Sequence, residues 1–201
     1  MVRTAQAHSP TKERLLDAAE RLMLAKGFAA TSVEEICEAA KLTKGSFFHY
    51  FESKEQLGKA VLERFCKSGA RLHAGFCGVE KDPLKRVYNY IDGAVTLSQD
   101  PSMGSGCLLG TFSQELCDTS PEIRRACEQG FAAWKQQFGE ELEAAKRKYA
   151  PKGDWSPKEL AEHFIAILEG SLILGKAGQD MQVVGRNLRH FKRYVQQLFG
   201  R

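Results

Sequence analysis

The sequence of 201 residues has no apolar run long enough to span a bilayer; its longest, Phe164 to Gly175, is interrupted by Glu169. The opening MVRTAQAHSP has no apolar core of a leader peptide, so a cytoplasmic chain with no membrane partner is expected. Six cysteines (Cys37, Cys66, Cys77, Cys107, Cys117, Cys127) are spaced 29, 11, 30, 10 and 10 apart, with no C-x-x-C and no zinc-type pairing. Six is also too few for a disulfide scaffold in a chain of this length, so most are expected to be reduced core thiols, and no metal or cofactor is expected. Glycine (18) and proline (6) have ordinary shares, which excludes low-complexity disorder. Enzymatic signatures are missing as well: there is no H-E-x-x-H, G-x-S-x-G, nucleotide-binding glycine pattern or paired catalytic carboxylates. Charge of one sign is scarce, with 29 basic residues against 25 acidic and a net of +4. By itself that is a weak pull on a polyanion.

Helical periodicity is what the sequence does contain. Leu15, Leu16, Ala19, Leu22 and Met23 make one apolar stripe that ends at Gly27. Val33, Ile36, Cys37 and Ala40 make a second, begun by Thr31-x-x-Glu34 or Ser32-x-x-Glu35, either of which can form a capping box. Thr43 reads as the N-cap of a third helix through Phe51, and Ser53 caps a fourth from Lys54. Longer helices follow: from Pro83 to about Ser98, from about Cys107 to Leu116 after the break at Asp100–Gly106, from Pro121 to Ala150, and from Pro157 onward. No strand, hairpin signal or internal repeat is present, so the fold class is all-α.

Between Phe164 and Leu174 apolar residues occur nearly all round the helix, where a surface helix would have one polar face. The final helix repeats Val184, Leu188, Phe191, Val195 and Leu198 at bundle spacing. Apolar partners on two sides predict a homodimer through Phe164, Ile167, Leu168, Ser171, Leu172, Gly175, Val184, Leu188, Phe191 and Val195. The alternative is a helix central to its own monomer. Arg186, Arg189, Lys192 and Arg193 on the last helix read as a solvated basic face.

Three short capped helices, the last two joined by Ala40-Lys41-Leu42-Thr43, have helix-turn-helix proportions. The second helix of that motif enters the major groove by its N-terminus, where small and polar residues belong; Thr43-Lys44-Gly45-Ser46 supplies them. Residues 41–54 hold Lys41, Lys44 and Lys54 against Glu52 alone, although residues 1–60 balance at nine basic to eight acidic. A solvated charged face is the competing reading of this composition.

The stretch TSVEEICEAAKLTKGSFFHYFESKEQL, Thr31 to Leu57, resembles the DNA-binding segment of TetR-family repressors. That resemblance implies an N-terminal arm (1–10), a helix-turn-helix domain (11–54) and a helical effector-binding and dimerisation domain (55–201). It puts Thr31, Lys44, Tyr50 and Lys54 at phosphate-gripping positions, and Thr43, Ser46 and His49 toward bases or the adjoining backbone. Gly45 lies where the backbone approaches the duplex. Phe47 and Phe51 match apolar anchors. Phe48 stands where many members carry a phosphate-binding Tyr; it cannot donate that hydrogen bond but could touch a thymine methyl. The partners implied are double-stranded operator DNA, a second copy of the chain and a small-molecule effector.

The segment from Gly106 to Ser120 resembles a redox- and electrophile-responsive branch of the same family, that of the N-ethylmaleimide reductase repressor. The resemblance gives Cys107 the place of the sensing thiol and Lys176 that of its lysine partner, and Cys117 also matches a cysteine there. A helix start after glycine and a nearby ammonium both favour thiolate; an inert apolar filler is the alternative. Should Cys107 and Cys117 share a helix, about 15 Å of axial rise would keep them from forming a disulfide. Cys37 and Cys127 fall on apolar faces and read as core. Trp134 and Phe138 pack the interior or line a ligand pocket. Other readings are a repressor with a reversibly bound apolar ligand, a helical thiol enzyme using Cys107, and a helical adaptor.

Overall fold

The computed structural model describes residues 9–100 and 106–200, and every regular element among them is a helix. In order these are α1 (Pro10–Lys26), α2 (Val33–Ala39), α3 (Lys44–Tyr50), α4 (Lys54–Cys77), α5 (Pro83–Leu97), α6 (Leu108–Leu116), α7 (Pro121–Tyr149), α8 (Pro157–Gly178) and α9 (Gln182–Leu198). Residues 1–8 of the expected arm and 101–105 of the expected break lie outside the described residues. Among the described residues no helix is long and apolar enough to cross a membrane.

Several helices, α2 to α5 and α8 among them, begin where side chains satisfy their orphan N–H groups. Of the two possible capping boxes, Ser32 and Glu35 form the real one: Ser32 Oγ accepts from Glu35 N at 3.2 Å, and Glu35 Oε2 accepts from Ser32 N at 2.8 Å. Ser53 accepts from Gln56 N at 3.1 Å and Ser156 from Glu159 N at 3.3 Å. Asp82 caps α5 by accepting from Leu84 N and Lys85 N, and it also receives Lys148 Nζ at 2.9 Å and the Tyr149 hydroxyl from the end of α7. The Tyr149 hydrogen bond, then that of Lys148, holds the Asp82 carboxyl well below the usual carboxylate range.

The chain divides into two compact units. The first comprises the described residues up to Cys66 with Leu108–Glu128, so it takes in α6 from far along the sequence, beyond residues 11–54. Its buried side chains include Leu15, Met23, Ile36, Phe47, Phe51, Leu57 and Phe112, with the Phe28 ring edge-on to Phe112 at 5.5 Å. Arg64 of α4 gathers Glu13, Asp17 and Glu20, three carboxylates spaced along one face of α1.

The second unit comprises the described residues of Lys67–Cys107 and Gln129–Arg201. Here α9 packs on both α5 and α8. The two-sided apolar pattern is mostly satisfied inside the chain, which corrects much of the dimer-interface expectation. Phe164, Val184, Leu188, Phe191 and Val195 are buried in the unit's own core with Val87, Ile91, Phe138 and Leu142. Ser171 is also buried; its hydroxyl donates to Ile167 O and accepts from Asn187 of α9. Gly175 is needed where the chain turns into α9, since a Cβ there would press on Met181. Leu168 and Leu172 back onto the same core. The apolar surface left open is different: Ile173 (52% exposed), Leu174 (60%) and Tyr194 (42%). A groove of about 400 Å³ beside it is lined by Ile167, Gly170, Leu174, His190 and Tyr194 among others.

Candidate nucleic-acid interface and sensor site

Helix α3 is set by a turn without glycine. Lys41 takes a positive φ of 53°, and Arg14 of α1 donates through its guanidinium to the carbonyls of Ala40 and Lys41. Thr43 Oγ1 then accepts from Ser46 N at 3.1 Å, as its N-cap position predicts. Phe47 and Phe51 are buried with ring centroids 5.9 Å apart, which fixes the helix against its neighbours. Its outer surface presents Thr43, Lys44, Gly45, Phe48 (55% exposed) and His49, with Ser46 and Tyr50 half-buried at the margin. Tyr50 Oη lies 2.8 Å from Ser9 Oγ. Lys44 pairs with Glu34 of α2, and its hydrogen bond lowers the Glu34 carboxyl. Both side chains are exposed, so the pair is weak and readily exchanged for another anion.

Two expected phosphate contacts point inward. Thr31 is buried, and its hydroxyl donates to Gly27 O at 2.7 Å, closing the α1–α2 loop. Lys54 Nζ donates to Phe28 O at 3.0 Å and Thr31 O at 2.9 Å, with the Phe28 ring 4.4 Å away. Two backbone carbonyls of the α1–α2 loop thus share this ammonium, and Phe28 O also accepts from Thr31 N at 3.2 Å. The same loop is gripped from α6: Glu115 accepts from Phe28 N at 3.2 Å and from Ala29 N at 2.8 Å. Sequence reading gave Glu115 no role.

Cys107 lies just before α6, preceded by Gly106 at φ 114°, a conformation that favours glycine. The thiol is buried and hydrogen-bonds the carboxyl of Glu169 in α8. Burial raises the Glu169 pKa and the Cys107 hydrogen bond opposes the rise. Its second oxygen, Oε1, is buried with no hydrogen-bond partner among the described residues. Lys176, the expected partner, is exposed in the last turn of α8, two turns and about 10.5 Å of axial rise beyond Glu169. A signal for Glu169 was present: it is the one charge in the apolar run Phe164 to Gly175.

Cys117 is half-buried and hydrogen-bonded with Cys127, whose thiol burial pushes up to about 11. Cys37 and Cys127 are buried, as their faces predict. Phe138 is fully buried, 4.6 Å from Tyr90 and 4.9 Å from Phe164 between ring centroids. Trp134 Nε1 donates to Tyr90 Oη at 2.5 Å. Phe138 belongs to the core of the second unit, and Trp134 is partly buried against it.

The family described as "Bacterial regulatory proteins, tetR family" matches residues 15–61, and "Tetracyclin repressor-like, C-terminal domain" matches residues 83–191. The chain is 30% identical to the HTH-type transcriptional repressor DhaR of Mycobacterium sp. strain GP1 over 88% of its own length and 87% of that protein's. It is 30% identical to the HTH-type transcriptional repressor NemR of Escherichia coli K12, covering 92% and 94% of the two chains. The crystal structure of reduced E. coli NemR superposes with a TM-score of 0.77 at 27% identity, over 92% of this chain and 97% of that one. The regulatory protein TetR from Rhodobacter sphaeroides superposes at 0.78 and 26%, over 95% and 100%. These relatives are transcriptional regulators, not enzymes.

Proposed function

The chain belongs to the TetR family of bacterial regulatory proteins, and on that footing we propose that it is a homodimeric repressor of a pseudo-palindromic operator, released when a small electrophile or oxidant modifies Cys107. The observation that carries the DNA-binding half is the outer surface of α3. Its N-terminal end exposes a hydroxyl, an ammonium and a glycine, and Phe48 and His49 follow on the same short helix. Small groups there admit close approach to base edges, Lys44 supplies a phosphate contact once it leaves Glu34, and Phe48 suits a thymine methyl. The exposed Ile173, Leu174 and Tyr194 supply apolar area for pairing two copies, whose symmetry would be mirrored in the operator.

For the effector half, the Cys107–Glu169 pair supports the reading. With an α,β-unsaturated carbonyl, the thiol proton passes to the Glu169 carboxylate as Sγ bonds the β-carbon and the C=C pair moves to the enolate; Glu169 then returns that proton to the α-carbon. The net change is addition of S–H across C=C. The test is titration of reduced protein against genomic fragments, followed by N-ethylmaleimide challenge of the best complex. Salt-sensitive, specific binding that the challenge releases is expected, with Cys107→Ser binding as tightly but failing to release. Release undiminished in Cys107→Ser would eliminate the thiol switch, and release only by reversible apolar ligands would favour an inert Cys107. A folded chain with no specific DNA binding would end the proposal as a whole.

A further inference from the structure

Away from Cys107, the second unit gathers three metal-ligating side chains that the regulatory reading leaves unused. His73 and Cys77 are four residues apart on α4, so both project from one face. His73 Nε2 and Cys77 Sγ are 3.7 Å apart. Glu141 of α7 closes the group, and one ligand atom from each of the three lies within 4.8 Å of the others. Arg86 Nε donates to Glu141 Oε2 at 2.6 Å, which fixes that carboxylate and leaves Oε1 to turn toward the thiol. The Tyr90 ring, 4.8 Å from the His73 ring, walls one side.

We propose that His73, Cys77 and Glu141 form a binding site for a borderline-soft divalent cation of the Zn²⁺ class. One nitrogen, one sulfur and one oxygen are a zinc-type donor set, and the thiolate selects against Mg²⁺ and Ca²⁺. Ordinary zinc–ligand lengths in a tetrahedron put nitrogen and sulfur about 3.5 Å apart, so the helical pair is close to its ligating separation. Glu141 completes the set with a small side-chain shift, and water takes the fourth position. On binding, Cys77 releases its proton to solvent and an Sγ–metal bond replaces the S–H bond. Arg86 stays on Oε2 as the outer partner that orients the ligating carboxylate.

The experiment titrates Co²⁺ into reduced, chelator-treated full-length protein and follows its absorption, then displaces it with Zn²⁺ against a chromogenic chelator. One tight Co²⁺ per chain is expected, with thiolate-to-metal charge transfer and tetrahedral visible bands. Cys77→Ser should abolish the charge transfer, and His73→Gln and Glu141→Gln should each weaken binding at least about tenfold. Cys107→Ser and Cys117→Ser should bind as the parent does. Charge transfer that is absent, that survives Cys77→Ser or that vanishes in Cys107→Ser would overturn the proposal. X-ray absorption of the zinc-loaded parent chain decides the matter without variants: one sulfur with imidazole supports the site, and oxygen ligands alone refute it.

Discussion

Lys54→Met is expected to destabilise the protein by about 2 kcal/mol while leaving the salt dependence of DNA binding as it is in the parent. Met keeps the aliphatic stem against Phe28 but removes the ammonium that holds Phe28 O and Thr31 O. A hydrogen bond to a charged group is worth about 1.5–3 kcal/mol. One ammonium is shared by the two carbonyls, and Phe28 O keeps a second donor in Thr31 N, so the loss belongs at the low end of that range. Loss of the cation over the ring adds about 0.5 kcal/mol. For a chain of this length, about 2 kcal/mol lowers the melting temperature by roughly 4–8 °C. Two assays separate a brace from a phosphate contact: thermal melting, and operator affinity measured between 50 and 200 mM salt. An unchanged melting temperature with a log–log salt slope reduced by about 0.9 would show that Lys54 leaves its carbonyls for a phosphate, and would refute the reasoning.

Lys44 should behave in the opposite way. Lys44→Ala is expected to reduce the salt slope by about 0.9 with little effect on melting, and Glu34→Gln, by freeing Lys44, to tighten operator binding slightly, as befits a weak, exposed pair. In the α1–α2 loop, Gly27 has φ 90°, and a Cβ there would collide with the Glu115 carboxylate. Gly27→Ala should cost about 1–3 kcal/mol from backbone strain plus the clash. Urea melts of Gly27→Ala, Glu115→Ala and the double variant should show a combined loss smaller than the sum, because Glu115→Ala removes the clash. Glu169 titrates above its ordinary value of 4.5 in the folded chain, so the native state keeps a proton that the unfolded state has released. Stability contributed by that proton is therefore full below 4.5 and declines as pH rises through the raised folded value. Subtracting the Glu169→Gln stability profile from that of the parent should leave a curve falling from about pH 4.5; a rising difference curve would contradict the burial argument.

The fold was legible where local chemistry decides it. Pro83, Pro121 and Pro157 mark helix starts, Ser32 with Glu35 and Thr43 mark caps, and Phe47 and Phe51 mark the buried side of α3. What the sequence left hidden depends on which neighbour claims a group. The spacing of Val184, Leu188, Phe191 and Val195 announces an apolar face, but not that α5 and α8 of the same chain cover it. Lys54 looks like any surface cation until the Phe28 and Thr31 carbonyls of the α1–α2 loop are in place beside it. Lys176 followed from a resemblance, while Glu169 stood out as a lone charge in an apolar helix. His73 and Cys77 lie on one turn, yet their third companion, Glu141, is 64 residues away along the chain. Cysteine spacing alone could not find a donor set drawn from three residue types.

The turn between α2 and α3 bends through a lysine with positive φ, although that conformation costs an ordinary L-residue about 1–2 kcal/mol. Arg14, 26 residues upstream of Ala40, braces the turn from α1 by donating from one guanidinium nitrogen, Nη2, to both the Ala40 and the Lys41 carbonyls. Mutational tolerance is thereby moved out of the turn and into α1. Position 41 can drift toward glycine or asparagine with gain or indifference, whereas position 14 cannot lose its cation without leaving the Ala40 and Lys41 carbonyls unbraced. A variant library of this protein would thus record its strictest demand on the reading head at a residue that lies outside the two helices of the motif.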